Sequence, residues 1–67
     1  MGKIDKTKLF EGIKLLIWCN EIHRETIVTI SYRRLNVIFF TYDEFPDKKE
    51  SWLPTGSYIV EKAIIQN

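Results

Sequence analysis

Residues 26–42 read TIVTISYRRLNVIFFTY. Two runs rich in β-branched and aromatic residues flank Arg33-Arg34-Leu35-Asn36, the pattern of two strands joined by a tight turn. Even alternation about that turn pairs Tyr32 with Val37, Ile30 with Phe39 and Val28 with Thr41. One face of the ribbon then carries Val28, Ile30, Tyr32, Val37, Phe39 and Thr41. The other carries Ile27, Thr29, Ser31, Ile38, Phe40 and Tyr42. Neither has the charged residues expected of a solvated face. A one-residue bulge would exchange partners on one strand without making either face polar. Val28, Ile30 and Phe39 are expected in the core.

A chain of 67 residues makes one domain, residues 1–67. Domains of this size bury little surface and commonly need a disulfide, a metal or a partner. Cys19 is the sole cysteine, so no intrachain disulfide forms, and His23 is the sole histidine. No thiolate cluster surrounds it, and no metal or cofactor is expected. Association, with another protein or as a homodimer, is the remaining aid.

The segment 5–24 predicts a helix. Leu9, Phe10, Ile13, Leu16 and Ile17 fall within one arc of a helical wheel, and Asp5 or Thr7 can cap its start. Gly12 opposes this, at about 1 kcal/mol in a helix interior. The competing strand reading sets Ile13, Leu15, Ile17 and Cys19 on one face and Lys14, Leu16, Trp18 and Asn20 on the other. Residues 44–57 form a long polar connection with Trp52-Leu53 as an apolar anchor and a turn at 54–57. Residues 58–65 read as a third strand, with a short helix after Ser57 as the alternative. The expected architecture is therefore α+β, an N-terminal helix packed on a three-stranded antiparallel sheet of 26–32, 37–43 and 58–65. The alternative is a small all-β barrel whose first strand is 13–20.

Net charge is +1, but the charge is segregated. Lys3, Lys6, Lys8 and Lys14 make the start basic, Arg33 and Arg34 make the hairpin tip basic, and Asp43, Glu44, Asp47 and Glu50 make the connection acidic. The near-neutral total argues against a dedicated nucleic-acid binder. Gly2 does not open an acylation motif, because Lys6 stands where Ser or Thr is required. No signal peptide or membrane segment is read, since the apolar run 13–19 is too short to span a bilayer. With the lone thiol this suggests a soluble, cytoplasmic protein. Ala63 is the only alanine amid many isoleucines and lysines, a composition common in small viral and plasmid proteins.

No constellation supports catalysis. Cys19 and His23 would share one side of a helix, but nothing marks an oxyanion stabiliser or an orienting third group. Asp43, Glu44, Asp47 and Glu50 lack the spacing and glycine of a calcium loop. The sequence points to a non-enzymatic binding module recognising another protein, as an inhibitor or adaptor. Its candidate residues are Trp52, Tyr42, Phe40, Arg33 and Arg34, of types enriched at interfaces. The alternative is a small nucleic-acid-binding protein using the Arg33-Arg34 tip, with Tyr32 and nearby aromatics as a stacking surface.

Overall fold

The structure is a computed structural model and describes residues 4–66; the readings that fall on Gly2 and Lys3 lie outside these residues. A short 3-10 turn at Lys6–Lys8 leads into β1 (Lys14–Cys19), β2 (Arg24–Arg34), β3 (Val37–Tyr42) and β4 (Ser51–Pro54). One helical turn, α1 (Tyr58–Glu61), precedes β5 (Ile64–Gln66). The five strands form one antiparallel sheet in the order β4-β3-β2-β1-β5.

The expected α+β architecture is overturned. Residues 14–19 are a strand, as in the all-β alternative, and among the described residues no α-helix precedes it. Two local features decide this. Gly12 takes φ +91°, and its N–H donates to the Ile30 carbonyl at 2.8 Å while Ile30 N–H donates to Ile13 at 2.8 Å. The chain thus turns where a helix would have continued and is hooked at once onto β2. Beyond it, Leu15, Ile17 and Cys19 alternate as buried residues with Lys14, Leu16 and Trp18. That period of two buries one face of a strand but would scatter the same side chains around a helix.

The C-terminal segment also divides differently. Ser57 caps α1, its hydroxyl accepting the Ile59 N–H at 3.1 Å. Only residues 64–66 form a strand, and they pair with β1, not with the ribbon. The polar connection contains β4, which pairs Phe39 with Trp52 and Val37 with Pro54.

The inner face gathers Leu15, Ile17, Val28, Ile30, Ile38 and Phe40, with Leu9 from the N-terminal arm and Val60 from α1. Among the described residues the arm and one helical turn are what packs against this face, and the molecule measures 29 × 24 × 21 Å.

The ribbon of β2 and β3 carries one irregularity with large consequences. Register shifts between Ile30 and Tyr32, so Ile30 pairs with Phe40 and Tyr32 with Phe39. The turn is Leu35-Asn36, with Leu35 at φ +51°. The extra residue, Ser31, donates from Oγ to the Phe39 carbonyl at 3.2 Å. Even alternation is broken, so Phe40 (2% exposed) joins Val28 and Ile30 in the core. Phe39, expected there, lies half-buried on the outer face beside Tyr32.

Candidate interaction surface

The bulge at Ser31 assembles an aromatic row across three adjacent strands. Tyr32 on β2 faces Phe39 on β3, and Phe39 faces Trp52 on β4. The Tyr32 and Phe39 ring centroids lie 5.7 Å apart with planes inclined by 39°. Tyr32 is 53% and Trp52 60% exposed. Arg34, Val37 and Pro54 form the next row towards the hairpin tip, where Leu35 stands 83% exposed. Thr55 N–H donates to the Asn36 carbonyl at 2.7 Å and ties the end of β4 to that tip. The row thus rests on a hydrogen-bonded sheet, which fixes its spacing.

The five residues singled out from sequence separate into different roles. Trp52 belongs to the row, and Arg34 is exposed beside it. Phe40 is a core side chain. Tyr42 packs edge-on against Phe40 at 5.6 Å and near Phe45 at 6.4 Å, with the Lys48 ammonium 5.3 Å from its ring centre. Burial is the main cause that pushes its phenol above the ordinary range. Arg33 is engaged internally. Its guanidinium donates to the Lys6 carbonyl, to the Leu9 carbonyl at 3.0 Å and to the Leu35 carbonyl at 3.0 Å. It pins the N-terminal arm, whose Leu9 is fully buried, to the end of β2.

The acidic connection folds back along the sheet and finds partners on β1 and β2. Asp43 accepts from Lys14 at 2.5 Å and from Thr29 at 2.7 Å. Glu44 accepts from both Nη atoms of Arg24, at 2.9 and 3.1 Å, and from the buried Thr26 hydroxyl. Glu50 accepts from Ser31. The hydrogen bond from Lys14 to Asp43, and that from Arg24 to Glu44, hold both carboxyls below their ordinary range. Lys48 pairs with Glu21 at 2.6 Å. These charges pair with one another on the sheet surface, and among the described residues no group of three or more His, Cys, Asp and Glu side chains could hold a metal ion.

Cys19 is buried at the end of β1 and His23 lies in the β1–β2 turn at φ +54°. The helix that would have aligned them is absent.

A second feature lies near the β1–β2 turn. Trp18, 44% exposed, and Tyr58, 70% exposed, line a groove of ≈ 700 Å³ together with Asn20, Glu25, Ile59 and Lys62. Sequence reasoning passed over Trp18, although the strand reading of 13–20 had set it on the face opposite Leu15 and Ile17. Tyr32 and Phe39 were legible as aromatics, but their joint exposure follows from a bulge that no residue type announces.

No protein-family model, curated protein or solved structure matches the chain, so its chemistry is read from these surfaces alone.

Proposed function

We propose that the chain is a non-enzymatic binding module that recognises another protein through the row Tyr32–Phe39–Trp52, with Arg34 and Leu35 at its tip end. The observation that carries this reading is the exposure of two large aromatic side chains that the fold does not need buried. A full aromatic surface is about 150–250 Å², so Tyr32 and Trp52 together leave roughly 250 Å² open. With Leu35, Val37 and Pro54 the patch enters the range of a few hundred Å² that marks interaction sites on small proteins. Tyr, Trp and Arg are the side chains most often dominant in such contacts. The exposed aliphatic neighbours favour a protein partner over a nucleic acid. An inhibitor or adaptor acting in the cytoplasm, where Cys19 stays reduced, fits this chemistry.

The test is a Tyr32→Ala/Trp52→Ala double variant. Affinity capture should retain a partner on the wild-type chain and lose it on the variant, while thermal unfolding shifts by only a few degrees. Equal loss of binding and stability would reduce the row to a packing element. A second copy of the chain is one such partner, and light scattering of wild type and variant reads it directly.

Nucleic-acid binding is the second reading, favoured by three rings on neighbouring strands beside Arg34, an arrangement on which successive bases can stack. Gel shifts with single- and double-stranded probes at two salt concentrations separate the readings. Absence of binding at low salt excludes this one, since phosphate contacts are strongest there.

A further inference from the structure

We infer that residues 4–11 are a detachable strap hinged at Gly12, and that Arg33 couples closure of the strap to the hairpin tip at the end of the aromatic row. As regulation of that row the inference rests on the function proposed above, while the strap and its link to the tip stand on the fold alone. The strap has few attachments. Its backbone hydrogen bonds are local: Lys8 N–H donates to the Asp5 carbonyl at 3.0 Å and Leu9 N–H to the Lys6 carbonyl at 3.3 Å. Among the described residues no backbone hydrogen bond joins 4–11 to the sheet. Side chains hold it instead. Arg33 donates to the Lys6 and Leu9 carbonyls, the Lys6 ammonium lies 3.3 Å from Glu61 on α1, and Leu9 and Ile4 pack against the core. A segment with so few backbone bonds to its surroundings opens at a lower free energy than the whole domain.

The hinge sits where the chain first joins the sheet. Gly12 N–H donates to the Ile30 carbonyl at 2.8 Å, so the ladder begins there. Gly12 holds φ +91°, which glycine adopts without steric cost, and no atom lies within 4 Å of where a side chain would start. Rotation at this point carries the strap away and leaves every strand pair intact.

The latch is shared between strap and tip. Nη1 of Arg33 holds the two strap carbonyls, while its Nε–H donates to the Leu35 carbonyl at 3.0 Å within the turn. Leu35 is in the left-handed region at φ +51°, a conformation that costs a leucine energy and persists only when its surroundings impose it. Tyr32 and Arg34, on either side of Arg33 in β2, are exposed. With the strap closed, one rigid guanidinium fork is fixed by three carbonyls and braces the turn. With the strap open, two of the three are gone and Arg33 is free to leave the third. Closure of the strap therefore orders the tip.

Hydrogen exchange of the full chain, labelled with nitrogen-15 and followed in urea below the unfolding transition, tests both parts. Leu9 N–H should be at least about tenfold less protected than Ile30 N–H and should exchange independently of urea, as a local opening does. Gly12 N–H should follow Ile30, which places the hinge between residues 9 and 12. Arg33→Lys should speed exchange at Leu9 about tenfold or more, because the strap carbonyls lose a charged donor. Leu9→Val, a small enough change to keep the fold, should speed exchange at position 9 about fivefold and carry the Arg33 Nε–H with it. None of these readouts needs a partner, so they stand or fall separately from capture through Tyr32 and Trp52. Equal protection and equal urea dependence at Leu9 and Ile30, or an unchanged Leu9 rate in Arg33→Lys, would overturn the strap. An Arg33 Nε–H unmoved by Leu9→Val while position 9 speeds up would overturn its coupling to the tip.

Discussion

Replacing Phe39 and Phe40 one at a time by alanine tests the bulge at Ser31, because even alternation and the observed register assign these neighbours opposite places. Phe40 is 2% exposed and packs in the core with Ile30 and Ile38. Truncating a buried phenylalanine costs about 3–5 kcal/mol through lost transfer energy and the cavity left behind. A domain of this length has only about 3–10 kcal/mol of stability in all. Phe40→Ala should therefore remove most of it, and Phe40→Leu, at roughly 1–1.5 kcal/mol, gives a folded comparison. Phe39 lies half-buried and makes its aromatic contact with Tyr32 at 5.7 Å. Its truncation should cost about 1 kcal/mol, the scale of one aromatic pair. Urea unfolding followed by far-ultraviolet circular dichroism reads the difference. With a slope near 1 kcal/mol per molar for so small a chain, 1 kcal/mol moves the midpoint by about 1 M. A larger loss for Phe39→Ala than for Phe40→Ala would refute the register and, with it, the aromatic row.

Three further outcomes are expected. Arg33→Ala should cost about 1.5–3 kcal/mol, because it leaves the Lys6 and Leu9 carbonyls without their charged donor. Arg33→Lys should not restore this, since an ammonium lacks the fork geometry, whereas Arg34→Ala should stay within about 0.5 kcal/mol; denaturant midpoints compare all three. Leu35→Gly should stabilise the ribbon by about 1 kcal/mol, because a leucine at φ +51° carries a steric cost and, at 83% exposure, contributes little packing. A drop in melting temperature would contradict that account of the turn. Stability should fall in acid through Asp43 and Glu44. Their folded pKa values lie below the ordinary 3.8 and 4.5, so their contribution is complete above those values and is lost as pH falls through the folded ones. Melting temperature measured from pH 6 down to about pH 2 should decline more shallowly for Asp43→Asn/Glu44→Gln than for wild type; parallel curves would show that these pairs contribute nothing.

The ribbon was legible because its residue types and turn signal agree. Val28 and Ile30 were placed in the core from their own strand, and that placement needs no partner register. Residues 5–24 misled for a physical reason. Leu9, Phe10, Ile13, Leu16 and Ile17 satisfy helical spacing, yet Leu9 is buried through an arm held by Arg33, while Ile17 is buried through strand alternation with Leu15 and Cys19. Two unrelated causes of burial produced one apparent period. Gly12 was the contrary signal, weighed as a modest cost when its left-handed conformation was the actual stop. Phe39 and Phe40 exchanged roles because a bulge is a register event between two strands, and neither strand alone encodes it. The candidate site shifted with them. Trp52 was visible as an apolar residue in a polar stretch, but its neighbours Tyr32 and Phe39 become a surface only once β3 pairs with β4.

Tyr32, Phe39 and Trp52 form a solvent-facing row while Phe40 lies inside. Paramagnetic broadening of aromatic ring signals by a soluble gadolinium chelate measures this directly. Strong broadening of Tyr32 and Trp52, intermediate broadening of Phe39 and protection of Phe40 is the predicted pattern. Protection of Phe39 with broadening of Phe40 would contradict the account.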